Sequence, residues 1–220
     1  MNLQALIFDL DGVIADTAGN HFESWQQLAR EEGLAFDWQL NERLRSLSRQ
    51  ASLEVILAEN GRTIDEAQMA DLLARKNYAY LRLIEQMDAS ALLPGVAALI
   101  VEARAAGKKL AVASASRNAV AVLQRTGVYD AFHAVVDSTS GLPSKPAPDL
   151  LLRAAQELGV APGRCAVLED AAVGIDAALA AGMWTVGLGP QGRTGRAHVR
   201  LDSLRDISLA TMLAALEGAV

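Results

Sequence analysis

Four short stretches carry residue types that can act on a phosphate. Phe8-Asp9-Leu10-Asp11-Gly12 holds two carboxylates separated by one residue, and along an extended chain that spacing points Asp9 and Asp11 to one side. Two acids at one mouth repel unless something positive stands between them. Ser114-Ala115-Ser116 offers hydroxyls, Ser144-Lys145-Pro146 a lysine stiffened by the proline behind it, and Glu169-Asp170 two further acids. With a phosphate as ligand each type has a job. Asp9, Asp170 and the carbonyl oxygen of Asp11, with Glu169 beside them, can offer hard oxygens to Mg²⁺, which also accepts a phosphoryl oxygen. Ser114 can donate a hydrogen bond to that phosphoryl group, and Lys145 gives a compact charge that offsets carboxylate and phosphate alike. Asp9 can attack phosphorus to form an aspartyl-phosphate. Asp11 can trade a proton with the leaving or entering oxygen, a contribution of roughly 10²–10⁴ in rate. Charge neutralisation around a loose transition state supplies most of the rest. An EF-hand reading of the first stretch fails, because Gly12 comes too early, position twelve of such a loop is Asn20, and the preceding segment reads as strand.

The elements that must position these groups are strands alternating with helices. Strand-like runs at Leu6–Leu10, Leu110–Ser114, Ala134–Asp137, Ala166–Leu168 and Thr185–Leu188 are separated by helical stretches. Pro94 opens one helix that Gly107 closes, Pro148 precedes another with Gly159 beyond it, and Gly182 follows a third. Such interleaving implies right-handed crossovers and an α/β fold, a Rossmann-like, mostly parallel sheet covered on both faces. The polar stretches then fall at or just beyond the carboxyl ends of strands, the edge where open α/β sheets hold ligands. One region breaks the alternation: about 75 residues between the first strand and Pro94 show no convincing strand, far too many for a plain connection. There Phe22, Trp25, Leu28 and Ala29 share a helical face before Gly33, and Thr63-Ile64-Asp65-Glu66 resembles a capping box opening a long helix to about Met87. Residues 1–16 and 91–220 are therefore expected to form the core, and 17–90 an inserted helical cap standing over its ligand edge as a lid.

Asp9-Leu10-Asp11-Gly12-Val13 with Asp16-Thr17, then Ala113-Ser114-Ala115-Ser116, then Ser144-Lys145-Pro146-Ala147-Pro148-Asp149, then Leu168-Glu169-Asp170 with Gly174-Ile175, resembles the haloacid dehalogenase-like phosphotransferase superfamily in motif content and order. In the cap, His21, Trp25, Ser48-Arg49, Ser52 and Arg75-Lys76-Asn77 resemble the β-phosphoglucomutase family, as does Ser114-Ala115-Ser116-Arg117-Asn118 in the core. The resemblance implies interconversion of β-glucose 1-phosphate and glucose 6-phosphate through glucose 1,6-bisphosphate, with two phosphate subsites. Asp9 with Mg²⁺ would be one subsite, and Arg49, whose planar fork suits bidentate phosphate recognition, the other. Lys76 and His21 would orient the sugar or the Asp11 carboxyl, and Ala115, Ser116, Asn118, Ser48, Ser52 and Trp25 would complete the binding set. The family's glycine before the Ser-Arg pair corresponds here to Ser46, and Arg117 stands where lysine is usual.

Gly187-Leu188-Gly189-Pro190-Gln191-Gly192 matches a dinucleotide fingerprint literally, but it follows the last expected strand, and its Pro190 and Gly192 argue against a helix opening behind it. His133 and His198 lack partners at metal-ligand spacing and read as surface residues; Cys165 reads as a buried strand residue. With 51% hydrophobic and 21% charged residues among 220, disordered and fibrous classes are excluded. A net charge of −6 gives no general attraction for nucleic acid or anionic membrane. A cytoplasmic monomer acting on small sugar phosphates is expected. A phosphatase that admits water to the same aspartyl-phosphate, and a non-catalytic phosphate-binding domain, stand as alternatives.

Overall fold

The computed structural model describes residues 2–219. Strands β1 (Ala5–Phe8), β2 (Lys109–Ala113), β3 (Ala134–Val136), β4 (Cys165–Glu169), β5 (Trp184–Leu188) and β6 (Val199–Leu201) form one parallel sheet in the order β3-β2-β1-β4-β5-β6. The fold is the expected α/β architecture. The first strand lies centrally, and the strand order reverses between it and β4, which opens a crevice at their carboxyl ends.

Alternation along the strands divides the core. Leu6, Phe8, Leu110, Val112, Ala166 and Leu168 pack on one face, where helices α5 (Val96–Ala105), α6 (Ala119–Arg125) and α10 (Leu209–Glu217) supply Leu99, Val122 and Met212. Ile7, Ala111, Cys165 and Val167 pack on the other, against Leu151 and Leu158 of α7 (Asp149–Leu158) and Ala177 of α8 (Ala172–Ala180). Both faces being covered, the strands read as apolar runs rather than half-polar ones.

Between β1 and α5 come four helices: α1 (Ala18–Glu32), α2 (Trp38–Glu42), α3 (Arg49–Glu59) and α4 (Glu66–Ile84). Trp25, Leu28, Leu40, Leu53, Ile56 and Leu72 give them an apolar cluster of their own. The chain leaves and returns through linkers that run side by side, with Asp16 N donating to Ala91 O at 2.8 Å and Leu93 N to Ile14 O at 2.9 Å.

Several local details differ from expectation. The capping box of α4 is built by Asp65 and Gln68, not Thr63 and Glu66, and the helix stops at Ile84 rather than near Met87. Strand β6 carried no sequence signal. A four-residue helix, α9 (Gln191–Thr194), does open behind Pro190, which sits at its N-cap with no cost in lost hydrogen bonds because the first turn needs no amide partner. His133 and His198 are exposed, and Cys165 is buried, with its thiol pushed up to about 11 by desolvation. Among the described residues, no helix is long and apolar enough to cross a membrane.

Candidate active site

On the core side, the site follows from strand register. Phe8 pairs with Leu168 and Asp9 N donates to Leu168 O at 3.0 Å, so the residues just beyond, Asp9 and Glu169, emerge side by side. Carboxylate oxygens of Asp9, Glu169 and Asp170, all buried, lie within 4.8 Å of one another. Lys145 Nζ donates to Asp9 Oδ1 at 2.6 Å and stands 3.4 Å from Glu169 Oε1. Both oxygens of Glu169 are engaged: Oε1 also accepts from Ser46 Oγ at 2.8 Å, and Oε2 from Asp170 N at 2.9 Å. Asp170 Oδ2 accepts from Arg45 Nη1 at 2.8 Å, with Arg193 Nη1 at 3.6 Å.

What remains is informative. Among the described residues, Asp9 Oδ2 and Asp170 Oδ1 are buried acceptors without any partner. Burial and the Asp9 charge push Glu169 up to about 8 and Asp170 up to about 6, and burial raises Asp9 as well, against the pull of Lys145. Burial opposes the charge on Lys145 too, yet Asp9 and Glu169 outweigh it and hold the ammonium above its usual range. Orphaned hard oxygens amid surplus negative charge fit a divalent cation. The donor atoms that fit are Asp9 Oδ2 and Asp170 Oδ1, whereas the Glu169 carboxylate is spent on Lys145, Ser46 and a backbone amide.

Asp11 turns the other way. Its Oδ1 accepts from Thr17 Oγ1 at 2.5 Å and lies 3.4 Å from His21 Nε2. Burial works against its charge, but His21 and Thr17 prevail and hold the carboxyl below the ordinary range. His21 Nδ1 lies 3.1 Å from Lys76 Nζ. While Lys76 carries its proton it can only donate, so Nδ1 then accepts and the ring proton sits on Nε2, facing Asp11. Burial and Lys76 lower the His21 pKa, keeping the ring neutral. Lys76 itself is pushed down to about 7 by burial and Arg49, while the faces of Tyr80 and Trp25, with centroids 4.5 and 4.9 Å away, favour its charged form. Arg49, at the first turn of α3, is lowered to about 10 by burial and by Arg117; among the described residues neither arginine has an acidic partner.

A cavity joins these parts. Asp9, Asp11, Ala115, Ser116 and Asn118 line it from the core, and His21, Trp25, Arg49, Ser52 and Lys76 from the cap. Other expected residues lie outside its lining. Ser114 is wholly buried, its Oγ accepting from Ser116 N at 3.0 Å, and Ser48 serves as the N-cap of α3, accepting from Ala51 N at 3.2 Å. Arg75 points outward to Glu31, Glu32 and Asp71. Lys145 and Glu169 sit beneath Asp9, and Asp170 faces an adjoining space with Gly12 and Arg193. Sequence reasoning does not single out Arg45, Arg193 or Tyr80. Tyr80 had a signal in its i, i+4 spacing from Lys76; Arg193 lies hidden behind the glycine-rich decoy.

The family model for haloacid dehalogenase-like hydrolases matches residues 3–182. A β-phosphoglucomutase of Bacillus subtilis (strain 168) is 44% identical over 85% of this chain and 84% of its own length. A fructose-1-phosphate phosphatase of Escherichia coli (strain K12) is 35% identical over 81% of this chain and 92% of its own. A crystal structure of a Clostridium difficile β-phosphoglucomutase superposes with a TM-score of 0.94 at 33% identity, covering 98% of both chains. The fold thus has close counterparts, and the chain belongs to the haloacid dehalogenase-like superfamily, in its β-phosphoglucomutase family.

Proposed function

We propose that this enzyme interconverts β-glucose 1-phosphate and glucose 6-phosphate, with Mg²⁺ as cofactor and glucose 1,6-bisphosphate as intermediate. One observation carries the reading: a single cavity is lined both by Asp9 and by Arg49, a partly buried arginine without a counter-ion among the described residues. A hydrolase needs one phosphate subsite, whereas a mutase that turns a bisphosphate around needs two. Arg49, with Arg117 near it, supplies the second.

In this reading Asp9 carries the phosphoryl group. The sugar's 6-hydroxyl attacks it while Asp11, held ionised by Thr17 and His21, takes the hydroxyl proton; the bond from phosphorus to Asp9 breaks and the bisphosphate forms. After the bisphosphate reorients, Asp9 attacks the phosphate at carbon 1, and Asp11 returns its proton to the departing oxygen. Lys145 keeps Asp9 aligned and anionic, and Glu169 keeps Lys145 in place. Asp9 Oδ2 and Asp170 Oδ1 would hold Mg²⁺, which when bound neutralises charge between carboxylate and phosphoryl oxygens. His21 and Lys76 set the Asp11 carboxyl, and the cap excludes water from the acyl phosphate.

The 35% identity to a sugar-phosphate phosphatase favours a second reading, hydrolysis of a small sugar phosphate at the same aspartate. Incubation with β-glucose 1-phosphate, Mg²⁺ and a trace of the 1,6-bisphosphate decides between them. Glucose 6-phosphate as the main product supports the mutase, and free phosphate in its place supports the phosphatase.

A further inference from the structure

The loop from Arg43 to Ser48, between α2 and α3, reaches across to the core in a way that phosphoryl transfer does not require. Arg45 Nη1 donates to Asp170 Oδ2 at 2.8 Å, and Ser46 Oγ donates to Glu169 Oε1 at 2.8 Å. In return Arg193, from the core, approaches Glu42 Oε2 at 3.5 Å, and Arg45 also grips Glu42 through two bonds of 2.9 and 2.7 Å. Signs alternate along this row, from Arg45 to Asp170 to Arg193 to Glu42, so every charge has an opposite neighbour on the facing side.

Ser46 is the unusual member. Its φ is 56°, in the left-handed region where a side chain is disfavoured and glycine is at ease. A serine kept in that conformation must be compensated, and the compensation visible here is its hydroxyl on a fully buried carboxylate. Two glycines clear the ground for these contacts. A Cβ on Gly174 would collide with the Glu169 carboxyl, and one on Gly12 would strike Asp170 Oδ2 and crowd Arg45 Nη1.

We propose that Arg45 and Ser46 form a latch that draws the helical cap onto the core before any substrate binds, with the Ser46 hydroxyl on Glu169 as its catch. The bond closes a gap in the hydrogen bonding of Glu169, whose Oε1 otherwise meets, among the described residues, only Lys145 at 3.4 Å, so opening the cap exposes a poorly satisfied buried acid. The latch thus raises the closed fraction of the ligand-free enzyme, and any ligand that needs the closed form binds more tightly for it. It does not depend on the sugar-phosphate reading, since its test reads cap position without turnover.

The test uses the full chain, ligand-free and with chelator present, in solution X-ray scattering and in amide hydrogen exchange. The wild type is expected to match the compact arrangement described above. Ser46→Ala keeps the backbone cost and loses the hydroxyl; Ser46→Gly loses both; Arg45→Met removes the charged half. All three should show a larger radius of gyration than wild type, and the Asp170 amide should exchange roughly tenfold faster, the scale of one hydrogen bond to a charged group. Circular dichroism selects the folded variants. If Ser46→Ala matches wild type in both measurements, the latch is overturned. It is overturned as well if only Ser46→Gly shifts, for then backbone conformation rather than the hydroxyl sets the loop.

Discussion

On the core side, Asp9, Glu169 and Asp170 crowd together within 4.8 Å; burial lifts the pKa of each, helped by the Asp11 charge at Asp9 and by the Asp9 charge at Glu169 and Asp170. On the cap side, Lys76 stands buried and Arg49 partly so, and burial with repulsion from neighbouring cations lowers theirs, to about 7 and about 10. Each half strains against its own like charges, and in opposite senses. The core half presents Asp9 Oδ2 and Asp170 Oδ1, which have no partner among the described residues and suit a cation. The cap half presents Arg49, which suits an anion. The two halves thus call for ligands of opposite charge, which is why neither half alone identifies the reaction.

Breaking the core half should have the largest effect. Asp9→Asn is expected to abolish phosphoenzyme formation, read by intact mass after acid quench with an acyl phosphate as donor; a phosphorylated variant would move the nucleophile elsewhere. Next is the cap half. Arg49→Ala should cut isomerisation by roughly 10²–10³-fold while changing phosphorylation of Asp9 by acetyl phosphate less than about threefold. Equal losses in both assays would erase the distinction between the halves. Metal linkage probes the core once more: Mg²⁺ at about 100 times its dissociation constant should stabilise the wild type by ~2.7 kcal/mol in urea, and Asp170→Ala should remove most of that gain.

The two halves are also unequally legible in the sequence. The core strands announce themselves as apolar runs ending in polar residues, so Asp9, Lys145, Glu169 and Asp170 fall into place from topology alone. There Glu169 reads as a metal ligand, and its carboxylate does join the buried acidic triad; what sequence cannot tell is that both its oxygens also accept from Lys145, Ser46 and the Asp170 amide. The edge strand β6 is invisible, being three residues long and half solvated. In the cap, helical spacing locates Trp25 and the family resemblance locates Lys76, but neither gives their partnership, which arises from packing α1 against α4. Ser48 and Ser52 look alike from resemblance; one caps α3 and the other lines the cavity. Arg45 escapes notice because nothing local distinguishes an arginine that bridges 125 residues from a solvated one.

Lys76 offers a smaller and more pointed test, on stability. Its folded pKa, about 7, lies below the ordinary lysine value of 10.5. Between those values the unfolded chain binds the proton and the folded one does not, so stability rises with pH across that window, and the burden of a buried ammonium is fully present below it. Lys76→Met should therefore raise the free energy of urea unfolding at pH 6 by on the order of 1 kcal/mol, and by less at pH 9, while impairing turnover. A variant less stable than wild type at pH 6 would mean that the aromatic faces of Trp25 and Tyr80 more than offset the burial, and that the cap half is not strained.

The smallest effect separates the two arginines of the cap-side subsite. Arg49 is partly buried and Arg117 is exposed, although both line the cavity. An exposed charge acts through water and is screened over about 10 Å at 0.1 M salt, whereas a partly desolvated one is screened far less. Arg117→Ala should thus raise the KM for the sugar phosphate only about two- to fivefold at low ionic strength, with the difference from wild type fading as salt is added. Because Arg117 also lowers the Arg49 pKa, its loss should leave Arg49 more firmly protonated, which limits the damage further. Steady-state KM measured across a salt series checks this. A salt-independent loss as large as that of Arg49→Ala would place Arg117 in direct, desolvated contact with the phosphate, and the second subsite would then be shared between core and cap rather than owned by the cap.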